Sequence, residues 1–549
     1  MIKHTFTILI IFLLNINLFG QTTDSIKSEG ITSPLHQANI GKITFMGNAI
    51  PMDEYREIDF LKTIELTDST DFNIRTYLGN SLTGYLHMLA PGLSVKELNQ
   101  KGNYQFSFYI DDSLIYKENL NPRAGTDESK ITRTVFRVPL ISTSKEDSWG
   151  RFLWNRFMMN GGQEALSGGS HFLKIEIRPY INANELKVGE VIASGQIQLI
   201  RPQKNINEKQ IAVQSINPGS GWKISTDEFD VQKIRSLNQK IAEDAFKNIT
   251  SIVVIKNGKL LIEEYFNGAN RNTLHDTRSV GKSFTSALMG LAIDDGYVES
   301  VNQTLKDFYD LTKFKNYSSK KDSVTLKSLL TMSSGFDGSD DNPDSPGNEE
   351  KMYPTSNWVK FTLDLPMDNT KIIGKNWDYF TAGVIVLGHI LQKNVPGGLE
   401  KYANRKLFEP LGITQYEWQY TPQNVVNTAG SVQMNSLDYA KFGLLYENKG
   451  MWNGKEILTK SWVKSTFTKY LTLPDNQFNY GYLFWNKTFN INGKDCETFF
   501  STGNGGSKIY VFTNQPLVVI ITATAFNKPF QHIQVDRIMQ NYILPAVIR

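Results

Sequence analysis

The stretch Ser279-Val280-Gly281-Lys282-Ser283-Phe284-Thr285-Ser286-Ala287-Leu288-Met289-Gly290-Leu291-Ala292-Ile293-Asp294-Asp295 puts a hydroxyl and an amine three residues apart at the start of a helical pattern. Apolar residues recur at helical spacing and Gly296 is placed as a stop, so the spacing predicts a helix over 279–295. Positions i and i+3 share a helix face, which lets the Ser279 hydroxyl and the Lys282 amine touch. A serine hydroxyl is a weak nucleophile until a base takes its proton, and a lysine of depressed pKa can serve. S-x-x-K also arises by chance in any chain rich in both residues, so the rest of the sequence must decide its meaning.

Upstream, Ser251–Ile255 and Leu260–Tyr265 read as strands around Lys256-Asn257-Gly258-Lys259, and Asn-Gly between apolar runs is a strong hairpin signal. Downstream, helical segments are expected at 325–332, 382–393, 399–407, 436–448 and 460–467. Strands follow at 508–513 and 517–524, then a helix from about 530 to 543. Strands at both ends with helices between predict an α+β domain, residues 223–549, whose sheet joins its two ends. A polar segment at 201–222, with Pro202 and the turn-forming Pro218-Gly219-Ser220-Gly221, reads as a linker. Before it, strand-like runs at 42–46, 104–110, 132–138, 172–177 and 195–200 predict an all-β, sandwich-like domain over 36–200, with a hairpin turn at Asp111-Asp112. Ser170-His171 and the Gly-rich run 161–169 read as loop.

Residues 1–20 form a short charged end, an apolar run from Ile8 to Leu14 and a closing Gly20, the pattern of an export signal too short to span a membrane. A periplasmic or extracellular location is therefore expected, with no transmembrane segment once the signal is removed. Cys496 is the only cysteine, which fits an exported protein without internal disulfides. The 58 basic and 55 acidic residues give a formal charge of +3, a balance that argues against a nucleic-acid surface. Seven scattered histidines offer no metal-binding spacing, and neither a metal nor another cofactor is expected.

Two further stretches complete a pattern with Ser279–Lys282. Asn376-Trp377-Asp378-Tyr379-Phe380-Thr381-Ala382-Gly383 puts a tyrosine just before a helix, and Ser501-Thr502-Gly503-Asn504-Gly505-Gly506-Ser507 is a Gly-rich turn leading into a strand. Their order and flanks resemble the serine β-lactamase-like superfamily, which spans class C β-lactamases, D-alanyl carboxypeptidases and aminopeptidases, esterases and nylon-oligomer amidases. Lys327–Gly335, Ala382–Gly388, Lys406–Ile413, Asp438–Gly443 and Trp452–Lys455 are similar to family segments as well, so the resemblance covers about residues 220–549. It implies a β-lactamase/transpeptidase-like fold, with Ser279 as acyl-accepting nucleophile, Lys282 as its partner base and Tyr379 as a second acid/base group. Coupled groups titrate as a unit, so Lys282 and Tyr379 share the role of base at this stage. The N–H of Ser279 and one from the 503–506 turn, Asn504 by similarity, would form the oxyanion hole. Gly503, Gly505 and Gly506 would let backbone approach substrate closely.

The departures from the pattern bear on substrate. Thr381 stands where asparagine is usual and Phe380 where serine is common. Ser501 stands where carboxylate-recognising members place Lys or His. Without that cation a substrate carboxylate is bound more weakly. This favours a small ester or amide over a β-lactam or a D-amino peptide of cell-wall type, which remains the alternative. A silent envelope ligand-binding protein is the rival from another class. Arg278 precedes the serine, so no G-x-S-x-G elbow exists to support a triad with His275 and Asp276. The run Gly338–Glu350, with Asp340-Asp341, reads as a solvated loop. Trp377, Tyr353 and Trp358 read equally as pocket wall or core.

Overall fold

The computed structural model describes residues 30–548 except 68–69, 145–147, 203, 431 and 474–476, so the export-signal reading falls outside the described residues. The chain divides after Pro202 into two compact units.

The first unit is sheet-rich. Strands Thr63–Glu65, Ala193–Arg201, Gly169–Asn182, Gly102–Ile110 and Ser113–Asn119 lie side by side in that order, with Leu186–Val188 paired on Gly169–Asn182. A second sheet joins Ile43–Met46, Phe72–Tyr77 and Val135–Ile141. Phe106, Phe108, Ile175, Ile177, Ile197 and Leu199 alternate along the larger sheet and share one core with Phe45, Phe72 and Ile74 of the smaller. The Asp111-Asp112 turn forms as read, both residues at positive φ (47° and 65°), with Ile110 opposite Ser113. His171 bonds Asp111 through Nδ1 at 2.7 Å, and Asp111 also accepts the Phe172 N–H at 2.8 Å, so this histidine staples the hairpin to its neighbour strand. The unit also contains helices the strand pattern did not reveal, among them Leu82–Leu89, Val95–Lys101 and Trp149–Phe157. Phe157 of the last stacks on Phe108, and Trp154 meets the same ring edge-on.

In the second unit, helix α1 (Val231–Ala242) leads into strands β1 (Ile249–Lys256) and β2 (Lys259–Tyr265), joined by Asn257-Gly258 at φ 51° and 69°. Helices α2 (Gly281–Asp294), α3 (Thr381–Asn394) and α4 (Ser436–Glu447) follow. The other strands of the sheet that β1 and β2 belong to are β3 (Leu471–Thr472), β4 (Asn479–Tyr480), β5 (Trp485–Ile491), β6 (Lys494–Thr502), β7 (Lys508–Phe512) and β8 (Leu517–Ala523), and helix α5 (Gln531–Ile538) lies near the end. Among the described residues these strands form one antiparallel sheet in the order β2-β1-β8-β7-β6-β5-β4-β3, so the first and last long strands are neighbours. Alternate residues supply its two faces. Val253, Ile509, Val511, Val518 and Ile520 pack under α2, α3 and α4, whereas Ile252, Val254, Tyr510, Val519 and Ile521 pack under α1 and α5. Phe284 of α2 stacks on Phe442 of α4 with ring centroids 3.8 Å apart, which holds the start of α2 firmly.

The segment read as a linker has contacts of its own in the second unit. A short helix, Glu208–Ile211, is followed by Gln214, whose N–H donates to Glu264 at 2.8 Å and whose amide donates to the Tyr265 carbonyl at 2.8 Å. Val213 and Trp222 pack against the two cores of this unit. No helix among the described residues is long and apolar enough to cross a membrane.

Candidate active site

A single turn, Arg278–Val280, precedes α2 and carries Ser279. Arg278 sits at φ +53°, a left-handed backbone that costs a β-carbon residue energy and is held here by its own surroundings. Its N–H donates to Asp276 Oδ1 at 3.0 Å. Tyr439 receives the Thr277 hydroxyl at 2.9 Å and donates to the Val432 carbonyl at 2.7 Å, which fixes the residue two before the serine. One turn on, Lys282 Nζ reaches Ser279 Oγ at 2.7 Å. Lys282 is only 2% exposed and lies 5.0 Å from the ring centroid of Tyr379.

The Gly-rich turn lies directly beside this serine. A β-carbon on Gly503 would fall 1.8 Å from the Thr277 carbonyl oxygen and 3.1 Å from the Ser279 nitrogen, so only glycine fits. Within the turn the Gly503 N–H donates to the Ser507 carbonyl at 3.0 Å and the Gly506 N–H to the Gly503 carbonyl at 3.0 Å. The Gly505 N–H goes to the side chain of Gln531 on α5. Asn504 pairs its amide with Asn527, at 2.6 and 2.8 Å. Among the described residues, the N–H groups of Ser279 and Asn504 are left without an internal acceptor. Two free donors on adjacent backbone segments are what a developing oxyanion requires.

Tyr379 packs against two tryptophans, with ring centroids 6.3 Å from Trp377 and 5.9 Å from Trp485. Trp377, Trp485 and Tyr480 pack edge to face behind it. This makes Trp377 part of the apolar support of Tyr379. Tyr353 and Trp358 pair with each other at 5.5 Å.

The sequence profile of the family described as Beta-lactamase matches residues 240–541, more than half of the chain. The chain belongs to the beta-lactamase family. Its second unit carries that match. A 238-residue stretch is 22% identical to Beta-lactamase-like protein 4 of Dictyostelium discoideum, covering 40% of this chain and 40% of that relative's length. The chain is also similar to the octameric penicillin-binding protein homologue from Pyrococcus abyssi, at 19% identity over 56% of this chain and 76% of the other, with a TM-score of 0.44. A D-stereospecific amidohydrolase from Streptomyces sp. is similar at 14% identity over 53% of this chain and 92% of the other, with a TM-score of 0.40.

Within this beta-lactamase-family unit the unusual positions acquire contacts. Ser501 is buried on β6 and donates to Ser283 Oγ at 2.7 Å, and Ser283 donates to the Leu483 carbonyl at 2.7 Å. Ser501 is thus spent on fastening β6 to α2. Thr381 is 1% exposed, so its side chain does not line an open pocket. Its N–H donates to Asp340 Oδ2 at 2.8 Å. Phe380 fills the space against Gly338, where a β-carbon would meet its ring at 2.3 Å. His275 is buried, bonds Thr250 Oγ1 at 3.3 Å and has its pKa pushed down to about 4 by burial, so it is a neutral structural residue.

Only part of the Gly338–Glu350 run is the solvated loop its polarity suggests: residues 341–344 are exposed, whereas Ser345, Gly347 and Asn348 are buried. Asn348 donates to the carbonyls of Ser339, Asp340 and Asn342 at 3.1–3.3 Å. Asp340 caps two helices and is pushed up to about 6 by burial, with Glu349 adding to the rise and Lys282 opposing it. Among the described residues no cluster suited to a metal ion occurs, in this run or elsewhere. Local polarity gave no sign of the burial of Asp340, because its partner Thr381 lies 41 residues away in sequence.

Left-handed backbone marks the site as well. Among the described residues, four that are neither glycine, Asn nor Asp take positive φ: Arg278, Met332, Lys449 and Leu483. Three of them hold the site: Arg278 precedes Ser279, Met332 accepts the Asp378 N–H, and Leu483 accepts Ser283. Strain gathered in this way is a feature of functional sites.

Proposed function

We propose that this protein is an exported serine hydrolase that cleaves a small ester or amide through an acyl-Ser279 intermediate. The observation that carries the reading is the 2.7 Å contact between a buried lysine and Ser279 Oγ, set beside the two free N–H groups of Ser279 and Asn504. In the first half-reaction the Ser279 Oγ–carbonyl carbon bond forms while its proton passes to Lys282. The carbonyl oxygen takes up negative charge between the two N–H groups. As the tetrahedral species collapses, the bond to the leaving group breaks and that group receives a proton through Tyr379. Water then attacks the acyl carbonyl and gives its proton to the Lys282–Tyr379 pair, and Ser279 leaves with a proton restored.

What surrounds the serine supports one substrate class over another. Ser501 is committed to Ser283 and supplies no cation, while Trp377, Trp485 and Tyr379 present apolar surface. This supports a neutral acyl group over a carboxylate-bearing β-lactam or D-amino peptide. Short p-nitrophenyl esters, neutral amides, a cephalosporin and D-alanyl peptides assayed side by side test it. Turnover of the esters or amides at a kcat/KM well above the others is expected, and preference for the carboxylate-bearing substrates would contradict it.

A further inference from the structure

We propose that Asp340 is a positioning residue for this site, its backbone and carboxylate together fixing the peptide Tyr379-Phe380-Thr381 that carries the second acid/base group. The proposal rests on the reading of Ser279 as nucleophile. The Asp340 N–H donates to the Tyr379 carbonyl at 2.8 Å, and its carboxylate receives the Thr381 N–H two residues later, also at 2.8 Å. One side chain and its own backbone thus clamp both ends of Tyr379-Phe380-Thr381. Phe380 is gripped between, its N–H donating to Met332 Sδ at 3.3 Å and its ring against Gly338. The second carboxylate oxygen receives the Glu349 N–H at 2.9 Å. Asp340 therefore ties the start of α3 to the start of the short helix Glu349–Met352, with its charge at the positive end of both.

The charge has a second consequence. A carboxylate within the field of Lys282 stabilises the positive charge that the lysine carries once it has taken the Ser279 proton. The charged and titratable groups around Asp340 are Glu349 and Tyr353 from the short helix and its end, Lys282 from α2, and Tyr379 beside α3. Glu349 is like-charged and opposes ionisation of Asp340, and Lys282 favours it.

The test is the pH profile of kcat on a short p-nitrophenyl ester, using the full chain. Wild type is expected to lose activity below about pH 6, where Asp340 takes up a proton. Asp340→Asn is expected to lower kcat about tenfold or more, with KM changed less than about threefold, and to abolish that acid limb. Glu349→Gln keeps the backbone donor and is expected to move the limb to lower pH, which keeps the test available if Asp340→Asn does not fold. Ser345→Ala removes only the bond from the Ser339 N–H and is expected to lower the unfolding midpoint while the limb stays in place. An acid limb unmoved in both Asp340→Asn and Glu349→Gln, with Ser279 acylated normally in wild type, overturns this assignment alone. A wild type whose Ser279 is never acylated overturns the hydrolase reading and the assignment with it.

Discussion

Lys282 and Lys508 are both almost fully buried in the second unit, at 2% and 3% exposed, yet their surroundings differ in kind. Lys508 lies on the α5 side of the sheet, bonded to Asp536 at 2.6 Å, with Lys487 on the other carboxylate oxygen at 2.8 Å and the Tyr510 hydroxyl at 2.7 Å. The two ammonium groups hold Asp536 far below the usual carboxylate range, although burial opposes them. Burial and the neighbouring Lys508 push His532, on the same side, down to about 4. Lys282, on the other side, has a hydroxyl at 2.7 Å and an aromatic ring, and no ion pair with a carboxylate among the described residues. A buried charge with all its partners stabilises the structure around it. A buried amine whose one close partner is a half-exposed hydroxyl can exchange a proton with it. The difference between a structural lysine and a reactive one lies in the partner set, since burial is the same for both.

The largest effect should come from breaking the reactive side. Lys282→Ala and Tyr379→Phe are each expected to lower kcat on an ester about 10²- to 10⁴-fold while the protein still unfolds cooperatively. Steady-state kinetics alongside thermal melts check both parts. On the structural side the outcome should reverse. Asp536→Ala leaves Lys487 and Lys508 without their carboxylate and is expected to cost about 3–5 kcal/mol in denaturant unfolding. Acylation of Ser279 in the folded fraction should change little. Equal losses of activity per folded molecule in Asp536→Ala and Lys282→Ala would erase the contrast.

A smaller effect sharpens the comparison through pH. Glu264 is buried and accepts from Gln214 and Asn238, yet no cation sits beside it, and burial pushes its pKa up to about 7. A carboxyl whose folded pKa lies above its unfolded one contributes stability below the unfolded value and loses it as pH rises through the folded value. Glu264→Gln should therefore gain on wild type by on the order of 3 kcal/mol between about pH 4.5 and pH 8. Chemical unfolding of both proteins across that range measures the difference, and a gap that stays constant with pH would refute this account of Glu264.

The sequence made local features legible and left most distant partnerships hidden. Asn257-Gly258 and Asp111-Asp112 announced their hairpins because turn chemistry is confined to two residues. Ser279 and Lys282 met because helix spacing alone brings them together. The helix starting at Thr381 and the turn at 503–507 were readable for the same reason. Asp340 was not, since a polar run looks solvated until Tyr379, Thr381 and Glu349 fold onto it. The same holds for Gln214 in the segment read as a linker, whose partner Glu264 is 50 residues away. Helices of the first unit were missed because Trp149–Phe157 carries its aromatic face in a stretch of mixed polarity, where a strand pattern competes.

The central claim is that Ser279, paired with a buried and otherwise uncommitted lysine, is acylated. Incubating the full chain with a fluorophosphonate probe and mapping the adduct by peptide mass spectrometry tests this most directly. The account predicts a single adduct on Ser279 that is absent in Ser279→Ala and strongly slowed in Lys282→Ala. Labelling spread over surface serines, or at the same rate in Lys282→Ala as in wild type, would contradict it.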